Sequence, residues 1–440
     1  MRRLFISLAI ITLSVIQVSA QRLAWWTDAR FGMFIHWGLY SMPARHEWVK
    51  SREQISDSVY QQYFDLFNPD LFDPKAWAKQ AKAAGMKYAV LTTKHHEGFC
   101  LFDSKYTDYK APNTPAHRDL VREFVDAFRA EGIKVGFYYS LLDWHNPDYT
   151  IDQNHPQRPS DTSRYRVLNA HRDMAKYREY LRNQVTELLT NYGKIDLLWF
   201  DFSFAGPYGK GADDWGAADL LKLVRKLQPD IIVNDRLGLK GGGDFVTPEQ
   251  FKVAEWPTVD GVRVPWETCQ TLSGSWGYNR DEDTWKSNKQ LIELLVETVS
   301  KGGNLILNVG PTSRGYFDGR AGKALDGIGE WMKYNSRSIY GCTEAPAEFK
   351  RPDNCLLTYN PVTKRLYVHL LDYPLQKLVL PGYKGKVKYA QFLQDGSEIR
   401  VLDREGYGFR QSGAAGDLNL SLPIKKPDSE IPVIELVLND

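Results

Sequence analysis

Four apolar stretches of the chain end in side chains capable of chemistry. They are Ile35-His36-Trp37, Lys94-His95-His96-Glu97, Trp199-Phe200-Asp201 and Asn234-Asp235-Arg236. Singly, each has a plain structural explanation: a satisfied core histidine, a strand-capping His pair, a loop-capping aspartate, an Asp–Arg ion pair. Their convergence on one rim would change the balance, and two chemistries could use such a rim. Metal-assisted hydrolysis would take His36, His95 and His96 as ligands. Barrel metallohydrolases open with His-x-His and end on Asp, whereas here the first and last strands read Ile35-His36-Trp37 and Asn308-Val309-Gly310. Glycoside hydrolysis needs two carboxyl groups instead, one ionised and one able to give a proton. Asp201 suits the first role. Glu249, Glu255 and Glu267, on the irregular stretch that follows, are candidates for the second. Trp37, Trp48, Trp199 and Trp276 would supply apolar walls for a sugar and the low dielectric that raises an acid's pKa.

The elements that must position these groups are legible as alternation. Strand-like runs fall at 30–38, 87–96, 134–140, 195–201, 230–236 and 304–310. Their continuous apolar character fits a parallel sheet covered on both faces. Helix-period segments at 74–84, 117–131, 165–190, 217–227 and 286–301 separate them. This alternation predicts an α/β fold, a (β/α)8-type barrel over residues 21–345, whose chemistry sits at the C-terminal strand ends. Six strands are assignable; the irregular stretch between Leu237 and Trp285 hides the rest. Beyond residue 345 the texture changes to seven short strand candidates between turn residues, predicting a C-terminal all-β sandwich over 346–440.

Composition narrows the class. Apolar residues are 43% and charged residues 25% of the 440, ordinary for a globular chain and unlike a disordered or collagenous one. A formal charge of +2 gives no basic footprint, so no nucleic acid is expected as partner. Thirteen Trp, 24 Tyr and 20 Phe suit either core packing or the C–H faces of sugars. Arg2-Arg3, the apolar run Leu4–Ile16 and Val18-Ser19-Ala20 read as a signal peptide over 1–20. The mature chain is therefore expected to be exported, periplasmic or secreted, beginning at Gln21. No later run reaches the roughly 18 apolar residues of a membrane span. Four cysteines are too few for a disulfide-framed scaffold; Cys342 and Cys355 are close enough in sequence to pair.

The motifs FGMFIHWG, Glu47-Trp48, LTTKHHEGF, LLWFDF, WETCQTLSGSWGY and GGNLILNVGPT, in this order, resemble glycoside hydrolase family 29, the α-L-fucosidases. The resemblance runs from about Trp25 to Tyr340. It implies a retaining exo-hydrolase that releases terminal α-L-fucose from a fucosylated glycan or oligosaccharide, with no metal and no organic cofactor. It also implies roles. The nucleophile falls on Asp201 and sugar contacts on His36, Glu47, Trp48, His95, His96 and Trp199. The strand-end Arg matches Arg236 and the pocket Trp matches Trp276. His donors and Trp199 would hold the hydroxyls, and an apolar pocket the C6 methyl. For the acid/base, Glu249 in Asp-Phe-Val-Thr-Pro-Glu is the first choice and Glu267 the alternative. A non-catalytic glycan-binding module on a degenerate barrel is the competing class.

Overall fold

The computed structural model describes residues 21–402, 414 and 416–439; the expected signal peptide lies outside them. Seven parallel strands form one curled sheet: β1 (Phe31–Ile35), β2 (Tyr88–Lys94), β3 (Lys134–Ser140), β4 (Leu197–Asp201), β5 (Ile232–Val233), β6 (Glu267–Thr271) and β7 (Asn304–Val309). Their order is β5-β4-β3-β2-β1-β7-β6. Six of them are the runs expected from sequence. The seventh, β6, reads Glu-Thr-Cys-Gln-Thr, which has no apolar run to announce it, although all five residues are buried.

The gap between β5 and β6 is filled by an irregular segment, residues 244–250. Asp244 N–H donates to Val233 O (2.7 Å), Val246 N–H to Pro265 O (3.0 Å) and Glu267 N–H back to Val246 O (3.0 Å). Parallel bridges Asn234–Phe245, Val246–Trp266 and Glu249–Cys269 complete the closure. Pro248 lacks the N–H a regular ladder requires, so this eighth stave is a broken one. Its irregularity has a consequence for the site, because it carries Glu249.

The expected helices pack outside the sheet, and three of them start with a side chain that takes an orphan N–H. Asp73 caps Pro74–Ala83, Asp119 caps Leu120–Ala130 and Ser287 caps Asn288–Ser300. The single helix expected over 165–190 is two, Tyr165–Leu168 and Met174–Asn191. Asn169 turns away to bond both backbone groups of Ile151 (2.7 and 3.1 Å), and Asp173 caps the restart. A further helix, Gly319–Asn335, follows β7.

Inside the barrel, Gly32 leaves room for the ring of Tyr88: a Cβ there would sit 2.3 Å from a ring carbon. Tyr88 and Trp26, which plugs the bottom of the barrel and packs on Phe245 at 4.7 Å, both point at Glu267. A carboxylate thus lies at the base of an otherwise apolar interior.

The described residues of the C-terminal region form seven antiparallel strands: β8 (Cys355–Asn360), β9 (Arg365–Leu370), β10 (Lys377–Leu380), β11 (Val387–Phe392), β12 (Arg400–Leu402), β13 (Leu418–Ser421) and β14 (Val433–Leu438). They form a four-stranded sheet β8-β9-β14-β11 and a three-stranded sheet β10-β13-β12. Leu366, Val368 and Ile434 of one sheet meet Leu380, Leu418 and Leu420 of the other in a core of their own. Alternate residues Leu356, Tyr367 and Val433 join the barrel's core instead. Cys342 belongs to that barrel core and Cys355 to the sandwich core, so the pairing that sequence spacing allowed does not occur: both are free, buried thiols. Burial pushes each up to about 12. Among the described residues no helix is long and apolar enough to cross a membrane.

Candidate active site

The C-terminal strand ends enclose a pocket of about 390 Å³. β1 contributes Phe34 and, just beyond, His36; the loop after it contributes Glu47 and Trp48. β2 leads to His95 and His96, β3 carries Tyr138, and β4 carries Trp199 and Asp201. Arg236 follows β5, Glu249 rides on the broken stave, and Trp276 follows β6. Ten of the residues singled out from sequence therefore line one cavity; Glu267, Glu255 and Trp37 do not, and Trp37 packs instead against Phe67, Phe72 and Trp77. Tyr138, Phe202, Phe34 and Cys269 line it too and were missed. Tyr138 was findable, since it stands two residues before the end of an apolar strand on the same face as Gly136.

At the floor Asp201, 9% exposed, is held at both oxygens. Tyr138 Oη donates to Oδ2 (2.8 Å) and Arg236 Nη1 to Oδ1 (2.9 Å). The same Nη1 lies 2.7 Å from Glu249 Oε2. Those two carboxylate oxygens can therefore be no further apart than the two distances laid end to end. That limit falls at about the 5–5.5 Å spacing of retaining glycosidases and below the roughly 6.5–9.5 Å of inverting ones. Arg236 is itself fixed: Nε donates to Thr247 Oγ1 (3.0 Å), Nη2 to Thr247 O (3.2 Å), and the guanidinium lies 4.7 Å over the Trp199 ring. Glu249's side chain is 40% exposed, at the mouth. Phe202, directly after Asp201, has φ 80°, a left-handed conformation that a bulky residue takes only under constraint.

The histidines are neutral, with assignable tautomers. Burial lowers His36 and His96 to about 3 and His95 well below its ordinary value. Asn308 Nδ2 donates to Trp276 O (2.6 Å), so its Oδ1 is the atom facing His36 Nδ1 at 2.6 Å. An amide oxygen only accepts; His36 Nδ1 therefore carries the proton, and Nε2 is a bare acceptor. Ser140 spends its one proton on Leu142 O (2.8 Å), so at 2.6 Å it accepts from His96 Nδ1–H. His96 Nε2, 3.8 Å from Asp201 Oδ2, is again an acceptor. The sequence expectation of donating histidines is thus reversed for these two. Trp199 also departs from its expected role: its Nε1–H donates to Glu267 Oε1 (3.1 Å), leaving only the ring face for a ligand.

Glu47, buried, accepts from the N–H groups of Trp276 (3.2 Å) and Gly277 (3.0 Å), tying the loop after β1 to the one bearing Trp276. Burial raises its pKa. Trp48 packs edge-on against His96 at 4.9 Å, and Trp276 lies 5.0 Å from the His36 ring. Glu267 is fully buried beneath the pocket and accepts from Trp26 (3.2 Å), Tyr88 and Trp199; burial lifts it to about 7. Glu255 lies outside the pocket, exposed on the surface. Among the described residues no group of three or more His, Cys, Asp or Glu side chains is arranged to hold a metal ion.

Known proteins share this arrangement of chain. The α-L-fucosidase family profile matches residues 14–337. Human tissue α-L-fucosidase is 31% identical over 409 residues, covering 83% of this chain and 82% of that protein. Among solved structures, α-L-fucosidase isoenzyme 1 from Paenibacillus thiaminolyticus superposes with a TM-score of 0.89 at 46% identity, covering 96% of this chain and 100% of that one. A family 29 α-L-fucosidase from Bacteroides thetaiotaomicron, solved as a trapped covalent intermediate with 2-fluoro-fucosyl fluoride, superposes with a TM-score of 0.79 at 31% identity over 96% of each chain. On the extent of these matches and a pocket at the strand ends of a curled parallel sheet, the chain belongs to the α-L-fucosidases, glycoside hydrolase family 29.

Proposed function

We propose that the protein is an exo-acting, retaining α-L-fucosidase that hydrolyses terminal α-L-fucose from glycans or oligosaccharides by double displacement. Asp201 is the nucleophile and Glu249 the acid/base. The observation that carries this reading is the single guanidinium nitrogen, Arg236 Nη1, within hydrogen-bonding distance of both carboxylates. It caps the distance between the two carboxylate oxygens at about the retaining spacing, which supports the double-displacement reading. In the first step an Asp201 oxygen attacks C1 as the glycosidic C–O bond breaks, and Glu249 gives its proton to the departing oxygen. In the second, Glu249 takes a proton from water, which attacks C1 and frees Asp201. The trapped covalent intermediate of the Bacteroides relative supports the first step. His36 and His96 accept hydrogen bonds from sugar hydroxyls, while Phe34, Trp199 and Trp276 give the ring and its methyl an apolar wall.

Kinetics and labelling test the roles together. Asp201→Asn is expected to lose several powers of ten in kcat, each about 1.4 kcal/mol of barrier. A slow 2-fluoro fucoside should leave its sugar on Asp201, and label on another carboxylate would sink the assignment. Glu249→Ala should fail on poor leaving groups but turn over activated aryl fucosides faster when azide is added. Azide rescue of Glu267→Ala instead would reverse the two glutamates. A wild-type protein that binds fucosides and releases no fucose would be a binding module.

A further inference from the structure

Beside the pocket runs a second, open cleft enclosing about 690 Å³, lined by Phe202, Ser203, Phe204, Asp235, Arg236 and Thr247. Phe202 and Arg236 line both cavities and so form the wall between them. We propose that this cleft seats the sugar from which fucose is cleaved, and that it selects a neutral pyranose over an anionic one. This rests on the retaining fucosidase reading. In that reaction the nucleophile and the acid stand on opposite faces of C1, so the departing sugar lies on Glu249's side. Glu249 opens at the mouth, and Thr247, two residues before it, lines the cleft. Phe204, set edge-on to Phe202 at 5.0 Å, offers an aromatic surface for the C–H face of a pyranose.

Charge sets the class. Among the described residues lining either cavity Arg236 is the one formal cation, the histidines being neutral. Its charge is already answered by Asp201, 2.9 Å away. Asp235 adds a carboxylate on the cleft side, its Oδ1 accepting from Thr247 Oγ1 at 2.7 Å. With Glu249 holding the proton it gives to the departing oxygen, Asp201 and Asp235 still outnumber the one guanidinium, and this surplus repels a sulfate or carboxylate on the leaving sugar.

The test compares substrates that differ only in what leaves: α-L-fucosyl fluoride, which has no second ring; fucosyl-galactose; and the same disaccharide sulfated on galactose. Phe204→Ala should cut kcat/KM for the disaccharide about tenfold and leave fucosyl fluoride within about twofold of wild type. The fluoride rate also reports that the variant is folded. Wild type should prefer the neutral to the sulfated disaccharide by about tenfold, and Asp235→Asn, which keeps the oxygen facing Thr247, should narrow that ratio. Equal losses on fluoride and disaccharide, no loss on either, or a sulfate preference indifferent to Asp235 would overturn the proposal. A wild type inert on fucosyl fluoride would instead overturn the fucosidase reading beneath it.

Discussion

At the scale of the residue, the pocket is organised by protons as much as by charges. Two neutral histidines present bare Nε2 atoms because Asn308 and Ser140 can only accept at the other nitrogen. Asn308 is therefore a positioning residue: it fixes which hydrogen-bonding role His36 offers without itself lining the pocket. Replacing it with aspartate keeps an acceptor at Nδ1 but puts a negative charge there, which favours the imidazolium. His36 Nε2 then becomes a donor at low pH. Asn308→Asp is expected to lower kcat/KM about tenfold or more near pH 5. The deficit should shrink toward pH 8, where the ring regains its neutral form, and KM should carry most of it. A variant-to-wild-type ratio flat across that pH range would show that Asn308 only supports the loop through Trp276.

At the scale of the element, the instructive part is the broken stave at 244–250 together with β6. The stave's irregular backbone lets Glu249 lean out to the mouth, while regular β6 keeps Glu267 facing inward at the barrel's base, where three donors converge on it. Two glutamates eighteen positions apart thus have unrelated work. Glu267→Ala would strand those donors in a sealed interior at about 1–3 kcal/mol each, so its main effect should be on melting temperature. The pH dependence has a definite sign. Burial raises Glu267 from 4.5 to about 7, so its stabilising contribution is fully present below pH 4.5 and is lost as pH rises through 7. Glu267→Gln should therefore cost more stability at pH 5 than at pH 8, as read from urea unfolding. The opposite trend would mean that the carboxylate form is the one the fold prefers.

Across the whole molecule, barrel and sandwich are joined by packing, and among the described residues none that lines the pocket lies beyond Trp276. The seam lies on the far helices. Trp331 donates its Nε1–H to Ile431 O (2.8 Å), and Thr358 Oγ1 donates to Ser338 O (2.7 Å) while bonded to His369 Nε2 (2.9 Å). Truncating Trp331 should remove about 3–5 kcal/mol, the usual cost for a buried aromatic. Calorimetry of Trp331→Ala is expected to show a lower melting temperature with KM for a fucoside unchanged at a temperature where the variant is folded. A changed KM at full folding would mean that the sandwich reaches the substrate after all.

Local pattern was enough to specify the apolar strands and what ends them. A strand buried on both faces must be continuously apolar, so polar groups at its end stand out, and His36, His95, His96, Asp201 and Arg236 were visible for that reason. The seven sandwich strands were equally visible, since turn residues punctuate each one. Elements whose burial is polar were hidden: β6 is buried through Glu, Thr, Cys, Gln and Thr, and the stave before it pairs through a proline-interrupted backbone. The choice between Glu249 and Glu267 likewise lay beyond local pattern. It turns on which way each carboxyl faces, and that depends on a barrel closure made between residues distant in the chain. The tautomers of His36 and His96 are the same kind of fact. Asn308 lies 272 positions from His36 and Ser140 lies 44 from His96, so only the folded sheet brings together the acceptors that decide where each proton sits.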